Sequence, residues 1–172
     1  DQGFEAFNVA NDFFSKRNTV FVTDDPIASV MAYEIVRDDA PKSLSILVNG
    51  KSDGNTLGDH RTMSLLATIP ALLAERAERG FVIGWGTGVT AGQLALLDSI
   101  QTVDVAEISP GVIAASPLFD FANGNASTNP KINVIQSDAY SCILYTPDAA
   151  DDTSHIHVGG REKTTTKRKS RV

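Results

Sequence analysis

A glycine-rich turn between a strand and a helix is the feature that most constrains the fold. Phe81-Val82-Ile83 favours a short apolar strand, Gly84-Trp85-Gly86-Thr87-Gly88 follows it, and residues 89–98 have helical periodicity. Glycines let a chain turn sharply and bring backbone N–H groups close to a ligand. On its own the glycine triplet fits an ordinary strand–helix turn as well as a ligand site. The residues at the ends of the neighbouring strands are needed to distinguish the two.

Strand and helix patterns alternate after this turn. The sequence predicts strands over residues 102–106 and 132–135, and helices over residues 110–118 and 138–144. Such alternation is typical of a parallel sheet with right-handed crossovers. Upstream, residues 59–77 favour a helix with Asp59 as its N-cap, interrupted at Pro70.

Three short strands precede this unit. They are predicted over residues 19–23, 28–36 and 43–48, which are rich in β-branched and aromatic side chains, and Asn49-Gly50 makes a strong turn after the third. We therefore expect a small antiparallel sheet, joined to the first helix by the polar residues 51–58. The predicted units are an N-terminal connector and β-domain (1–58), a partial nucleoside-binding domain (59–145) and a polar, basic tail (146–172).

Two acids stand where predicted parallel strands end. Glu107 closes the second strand and Asp138 follows the third, so both share the carboxyl edge of the sheet with the glycine turn, where open α/β sheets bind ligands. A carboxylate at Glu107 can accept hydrogen bonds from ribose hydroxyls. Asp138 can accept one from the adenine amine, although capping of the next helix explains this residue equally well. Together the three elements favour a nucleoside site.

The glycine spacing also limits the cofactor. The pattern is G-x-G-x-G, with Val89 where a dinucleotide motif has its last glycine, and no Gly-Lys-Ser/Thr phosphate loop is present, which argues against ATP. Adenosine held through its sugar and base fits best, which points to an S-adenosyl ligand. No metal is predicted, because His155, His157 and the lone Cys142 offer too few ligands.

The charge distribution argues against a nucleic-acid partner. The net charge is -6, yet residues 161–172 carry six basic side chains and one acid, which leaves nine basic and twenty acidic residues in the rest of the chain. An acidic body repels phosphates. The tail over residues 146–172 is predicted to be disordered. No apolar run reaches the ~18 residues that a transmembrane helix requires.

Three segments, residues 82–92, 103–115 and 131–144, resemble the spermidine/spermine synthase family. Leu47-Val48-Asn49-Gly50-Lys51 and the helix that begins at Asp59 are similar to that family's N-terminal β-domain and entering helix, so the resemblance covers residues 13–145. It implies an α/β fold: a partial Rossmann-like parallel sheet of the S-adenosylmethionine-methyltransferase type, preceded by a small antiparallel β-sheet. Carried over by position, it implies a ligand site formed by Gly84, Trp85, Gly86, Thr87, Gly88, Glu107, Ile108, Asp138 and Ala139. Trp85 fits the border of the adenosyl group and packing under the next helix equally well.

The resemblance also implies an activity. The family transfers an aminopropyl group from decarboxylated S-adenosylmethionine to a diamine, which implies a putrescine-like acceptor and polyamine biosynthesis. A homodimer through the β-domain and a cytoplasmic location are implied as well, either alone or as the cytoplasmic part of a membrane-attached protein whose membrane portion lies upstream.

Three departures from the family weaken this activity. Thr87 stands where the glycine loop usually has an Asp, Thr62-Met63-Ser64 replaces a polyamine-binding run, and no Asp-Ser-Ser-Asp-like strand end follows Leu144. We therefore expect a truncated domain with its catalytic residues missing. Methyl transfer from S-adenosylmethionine and a non-catalytic binding module remain open as alternatives.

Overall fold

The structure is a computed structural model that describes residues 17–36, 41–145 and 155–159. Its first sheet is antiparallel and consists of β1 (Arg17–Asp24), β2 (Ser29–Ile35), β3 (Ser43–Val48) and β4 (Lys51–Asn55), in that order. The predicted N-terminal connector before residue 17 lies outside the described residues.

The Asn49-Gly50 turn forms as predicted, and it adds a strand that the sequence did not reveal. Both residues have positive φ (51° and 74°), which is the conformation of a tight hairpin turn between twisted strands. Three strands were predicted for this sheet and the structure has four, because Lys51–Asn55 pairs with β3 as β4. Ser, Asp and Gly have low β propensity. The strand therefore forms because the hairpin places it beside β3, and not because of its composition.

Helix α1 (His60–Leu73) joins the two sheets and is shorter than predicted. It continues through Pro70 and ends one turn later, where Ala74 is extended. The apolar residues that predicted this helix do not form its buried face. The buried positions are Ala67 and Ala71, and the larger side chains are exposed: Leu65, Leu66, Ile69, Leu72 and Leu73.

The second sheet is parallel, with the order β7-β6-β5-β8. Its strands are β5 (Arg79–Ile83), β6 (Thr102–Glu107), β7 (Ile132–Gln136) and β8 (His155–Gly159). The helices between them are α2 (Val89–Ala95), α3 (Pro110–Ala115), α4 (Asp120–Asn123) and α5 (Ala139–Tyr145), with 3-10 turns at Ser116–Phe119 and Ala126–Thr128. The predicted loop over residues 123–130 thus contains short helical turns.

Strand β8 corrects the expectation that no parallel strand follows Leu144. It pairs with β5 from His155 opposite Arg79 to Gly159 opposite Ile83. Five residues of the predicted disordered tail therefore form a strand, although only Ile156-His157-Val158 has a strand-like pattern. The free edge of β5 offers unpaired backbone N–H and C=O groups, and pairing with this edge satisfies them.

One hydrophobic core connects the two sheets. Val30 and Ile46 of the antiparallel sheet belong to the same buried cluster as Leu94, Val103 and Val105 of the parallel part. The two sheets are therefore packed together through one shared core. Within the described part of the chain, no helix has the length and apolarity needed to cross a bilayer.

Candidate active site

The glycine loop adopts the conformation that its composition permits. Gly84, Gly86 and Gly88 have φ values of +83°, +54° and +73°, which lie in the left-handed region that favours glycine. The N–H of Gly84 donates to the carbonyl of Ala106 at 2.8 Å, which anchors the loop to β6. A Cβ at Gly88 would lie 2.8 Å from Asn123 Nδ2, so this position needs glycine for space as well as for its φ value.

Glu107 connects the glycine loop to the neighbouring loop. It ends β6 and is 7% exposed. Its Oε2 accepts a hydrogen bond from the Trp85 backbone N–H at 2.8 Å, and its Oε1 accepts one from the Ser109 N–H at 2.8 Å. The carboxylate therefore spans two loops that each follow a strand of the parallel sheet.

The loop after β7 joins the same edge. The Ser137 N–H donates to the backbone carbonyl of Glu107 at 3.1 Å. Asp138 follows, is exposed, and accepts the Tyr140 N–H on Oδ1 at 2.7 Å, so it caps α5. The structure brings the three predicted loops together, and the adenine-binding role of Asp138 stays a prediction. Two more predicted site residues lie in these loops: Ile108 is exposed, and Ala139 is half-buried.

A cavity of about 370 Å³ opens on the other side of the glycine loop, towards β4 and α1. Gly84 to Thr87 line it, whereas Gly88, Glu107, Ile108, Asp138 and Ala139 are not among its lining residues. The rest of the wall is mostly apolar: Asp53, Met63, Leu66, Val82, Ile83, Val89 and Thr90. The predicted site is therefore divided between the strand-end loops and a space between the two sheets. No three His, Cys, Asp or Glu side chains of the described chain are grouped to hold a metal ion.

Thr87 and Met63, which belong to two segments that differ from the family pattern, are in contact in the wall of this cavity. Thr87 is 1% exposed, and its hydroxyl donates to the sulfur of Met63 at 3.2 Å. The Thr90 hydroxyl donates to the Met63 carbonyl at 3.3 Å. The glycine loop thus packs against α1 through neutral groups. The Trp85 indole is buried and lies 3.0 Å from the position of a Cβ at Gly88, so this side chain packs beneath the start of α2 and also lines the cavity.

Asp25 links the antiparallel sheet to the site, a contact that sequence reasoning missed. Its Oδ2 accepts the Ser109 hydroxyl at 2.6 Å and the Gly111 N–H at 2.8 Å. The Ser109 hydrogen bond is the largest factor that lowers the pKa of the Asp25 carboxyl from 3.8 to about 2; burial acts against it, and the amides of Gly111, Ala28 and Ile27 add to it. Ser109 therefore contacts both Asp25 and Glu107.

Asn123 is a second residue that sequence reasoning missed. It is fully buried, its Nδ2 donates to the Thr87 carbonyl at 3.0 Å, and its Oδ1 accepts the Ala126 N–H at 2.9 Å. It therefore supports the glycine loop from below. An Asn in a polar loop resembles any turn residue in sequence, so only the fold reveals this contact.

The fold combines a partial Rossmann-like parallel sheet with an antiparallel sheet ahead of it. Among solved structures, the chain is similar over 73% of its length to the spermidine synthase from Thermotoga maritima, with a TM-score of 0.64 and 16% identity. It is similar over 69% of its length to a spermidine synthase in complex with the transition state analogue AdoDATO, with a TM-score of 0.60 and 17% identity.

The chain therefore has a spermidine-synthase-like fold, which confirms the predicted fold class and the resemblance. It spans about two fifths of those enzymes, 42% and 39% of their lengths. No protein-family model matches the sequence, and no curated protein matches it.

Proposed function

We propose that this chain binds decarboxylated S-adenosylmethionine as the nucleoside-binding part of an aminopropyltransferase with a putrescine-like acceptor. The observation that carries the proposal is the position of Glu107, a buried carboxylate that joins the glycine loop to the next strand-end loop. The spermidine-synthase-like fold supports the same ligand class.

The hydrogen bonds of Glu107 are compatible with a bound ribose. Each oxygen accepts one backbone N–H and keeps a second lone pair, so ribose hydroxyls can be accepted without breaking either loop contact. Asp138 uses Oδ1 to cap α5, and its Oδ2 is the oxygen proposed to accept the adenine amine. The left-handed glycines bring the backbone close to the adenosyl group.

Aminopropyl transfer is a displacement at the carbon next to a sulfonium by an unprotonated amine. It depends on holding the two reactants in line, and it needs no covalent intermediate. In this proposal the strand-end loops fix the nucleoside, and the cavity between β4, α1 and the glycine loop receives the transferred chain.

Methyl transfer from S-adenosylmethionine is the second candidate, because of Thr87. This side chain is buried and its hydroxyl is bonded to the Met63 sulfur, so the glycine loop offers no charge to distinguish the two S-adenosyl ligands. Tighter binding of S-adenosylmethionine than of its decarboxylated form would favour methyl transfer.

Calorimetric titration with 5′-methylthioadenosine tests the nucleoside site directly. Glu107→Gln removes the charge that ribose hydroxyls contact, and a hydrogen bond to a charged group contributes about 1.5–3 kcal/mol, so we expect roughly 10- to 100-fold weaker binding. Asp104→Asn is the matched control: it lies on the same strand and its Oδ1 bonds only Asn133 among the described contacts. Circular dichroism must show that both variants are folded. Absence of binding to the folded chain, or equal affinities of Glu107→Gln and Asp104→Asn, would refute the proposal.

A further inference from the structure

His60 connects the first turn of α1 to the end of α4. Its Nε2 lies 3.0 Å from the carbonyl oxygen of Ala122, and because a carbonyl can only accept, Nε2 carries the proton of this hydrogen bond. The last carbonyls of a helix have no partner within that helix. The imidazole therefore satisfies an acceptor at the end of α4 that the short helix cannot satisfy itself.

The contact reaches the glycine loop through the next residue along the chain. Asn123 follows Ala122, and its side chain donates to the Thr87 carbonyl of the glycine loop at 3.0 Å. The same loop is also bonded to α1 directly, since the Thr87 hydroxyl donates to the sulfur of Met63. Met63 lies three residues after His60 on α1. A closed network of contacts therefore runs from α1 through α4 to the glycine loop and back to α1.

Tight packing couples α4 to the glycine loop. A Cβ at Gly92 would lie 1.9 Å from the Asn123 carbonyl oxygen, and a Cβ at Gly88 would lie 2.8 Å from Asn123 Nδ2. Such close-packed elements cannot move independently, so a displacement of α4 must move the loop or break the bond to the Thr87 carbonyl. His60 is half-buried, whereas Asn123 and Thr87 are buried. It is thus the member of the network that can be changed without opening the core.

We propose that His60 is a positioning residue for the glycine loop. By bonding the Ala122 carbonyl it fixes α4, and α4 in turn sets the position of the Thr87 backbone. A loop that is already held in one conformation loses less conformational freedom when it binds a ligand, and the affinity rises accordingly. His60 is not among the residues that line the cavity, so it acts through the loop. This inference rests on the proposed function, which supplies the ligand.

Three variants separate positioning from general stability. His60→Ala removes the bond to the Ala122 carbonyl, and His60→Gln keeps a donor, because a side-chain amide also carries N–H groups. Thr68→Ala is the matched control: its hydroxyl donates to the Ser64 carbonyl at 2.7 Å, within α1. Wild type and variants are titrated with 5′-methylthioadenosine at a temperature at which circular dichroism shows each of them to be folded.

Trp85 supplies a second signal that does not depend on the ligand. It is the single tryptophan of the chain, and its indole packs 3.0 Å from the Cβ position of Gly88, beside the Asn123 amide. The indole is 5% exposed. If α4 is released, water reaches this ring, and its fluorescence emission moves to longer wavelength.

His60→Ala should weaken binding of 5′-methylthioadenosine about three- to tenfold, which corresponds to the loss of one hydrogen bond, and should shift the Trp85 emission. His60→Gln should recover the wild-type affinity to within about twofold and restore the emission, since it keeps the donor. Thr68→Ala should change neither.

Two results would overturn the assignment of His60: unchanged affinity and emission in His60→Ala, or equal changes in Thr68→Ala. Failure of His60→Gln to recover either signal would also overturn it. If the folded wild-type chain does not bind 5′-methylthioadenosine, the proposed function fails, and the emission of Trp85 alone decides whether His60 positions the loop.

Discussion

Asn123→Ala tests whether the glycine loop depends on the buried amide beneath it. The substitution removes the bond from Nδ2 to the Thr87 carbonyl (3.0 Å) and the bond from the Ala126 N–H to Oδ1 (2.9 Å). Both backbone groups would be left without partners at a position that is 0% exposed. Each buried unpaired group costs about 1–3 kcal/mol, so the free energy of unfolding should fall by about 2–6 kcal/mol. That is a large share of the ~5–15 kcal/mol of a typical domain.

The assay is urea denaturation followed by circular dichroism, with Asn129→Ala as the matched control. Asn129 is half-buried and its Oδ1 accepts one bond, from the Lys131 N–H at 3.0 Å, which water can replace. We expect that control to lose less than about 1 kcal/mol. Equal losses from the two variants would refute the reasoning, because they would show that burial of the Asn123 amide adds nothing.

Two further predictions concern packing and pH. Gly92→Ala should destabilise the protein by about 1–3 kcal/mol despite the better helix propensity of alanine, because the new Cβ would lie 1.9 Å from the Asn123 carbonyl oxygen. The control is Gly58→Ala, whose Cβ would have its nearest atom 3.8 Å away. It should change stability little in the same urea series. Asp25→Asn should reduce stability most at neutral pH: the folded-state pKa near 2 lies below the usual 3.8, so the stabilisation is present above about pH 4 and is lost as the pH falls towards 2. Denaturation curves of wild type and Asp25→Asn should therefore converge between pH 4 and pH 2, and a constant gap would contradict this pKa.

Local chemistry explains what the sequence could predict. The glycines at residues 84, 86 and 88 indicate a turn that needs positive φ. Glu107 and Asp138 come at the ends of clearly apolar runs that predict strands. Those features depend on neighbours in the chain, so their spacing is enough to place the strand-end loops together. The fold class followed from the same alternation of strand and helix.

The errors arise where tertiary contacts overrule local propensity. Strand β4 is polar and forms because the Asn49-Gly50 hairpin sets its register, and β8 forms beside the open edge of β5. The periodic leucines of α1 predicted its helical state correctly, yet the alanines Ala67 and Ala71 face the core. Apolar periodicity defines a stripe on a helix, and the neighbouring elements determine which stripe is buried.

The parts of the site that sequence reasoning missed are all contacts between distant segments. Asp25 and Ser109 are 84 residues apart, and no spacing rule relates a β-hairpin turn to the first turn of α3. Ser109 nevertheless connects the two sheets by hydrogen bonds, because its hydroxyl donates to Asp25 and its N–H donates to Glu107. The carboxylate proposed to bind the ribose is therefore positioned in part by the antiparallel sheet. Together with Asp53 on β4, this makes the N-terminal sheet a component of the site and not merely a neighbour of it.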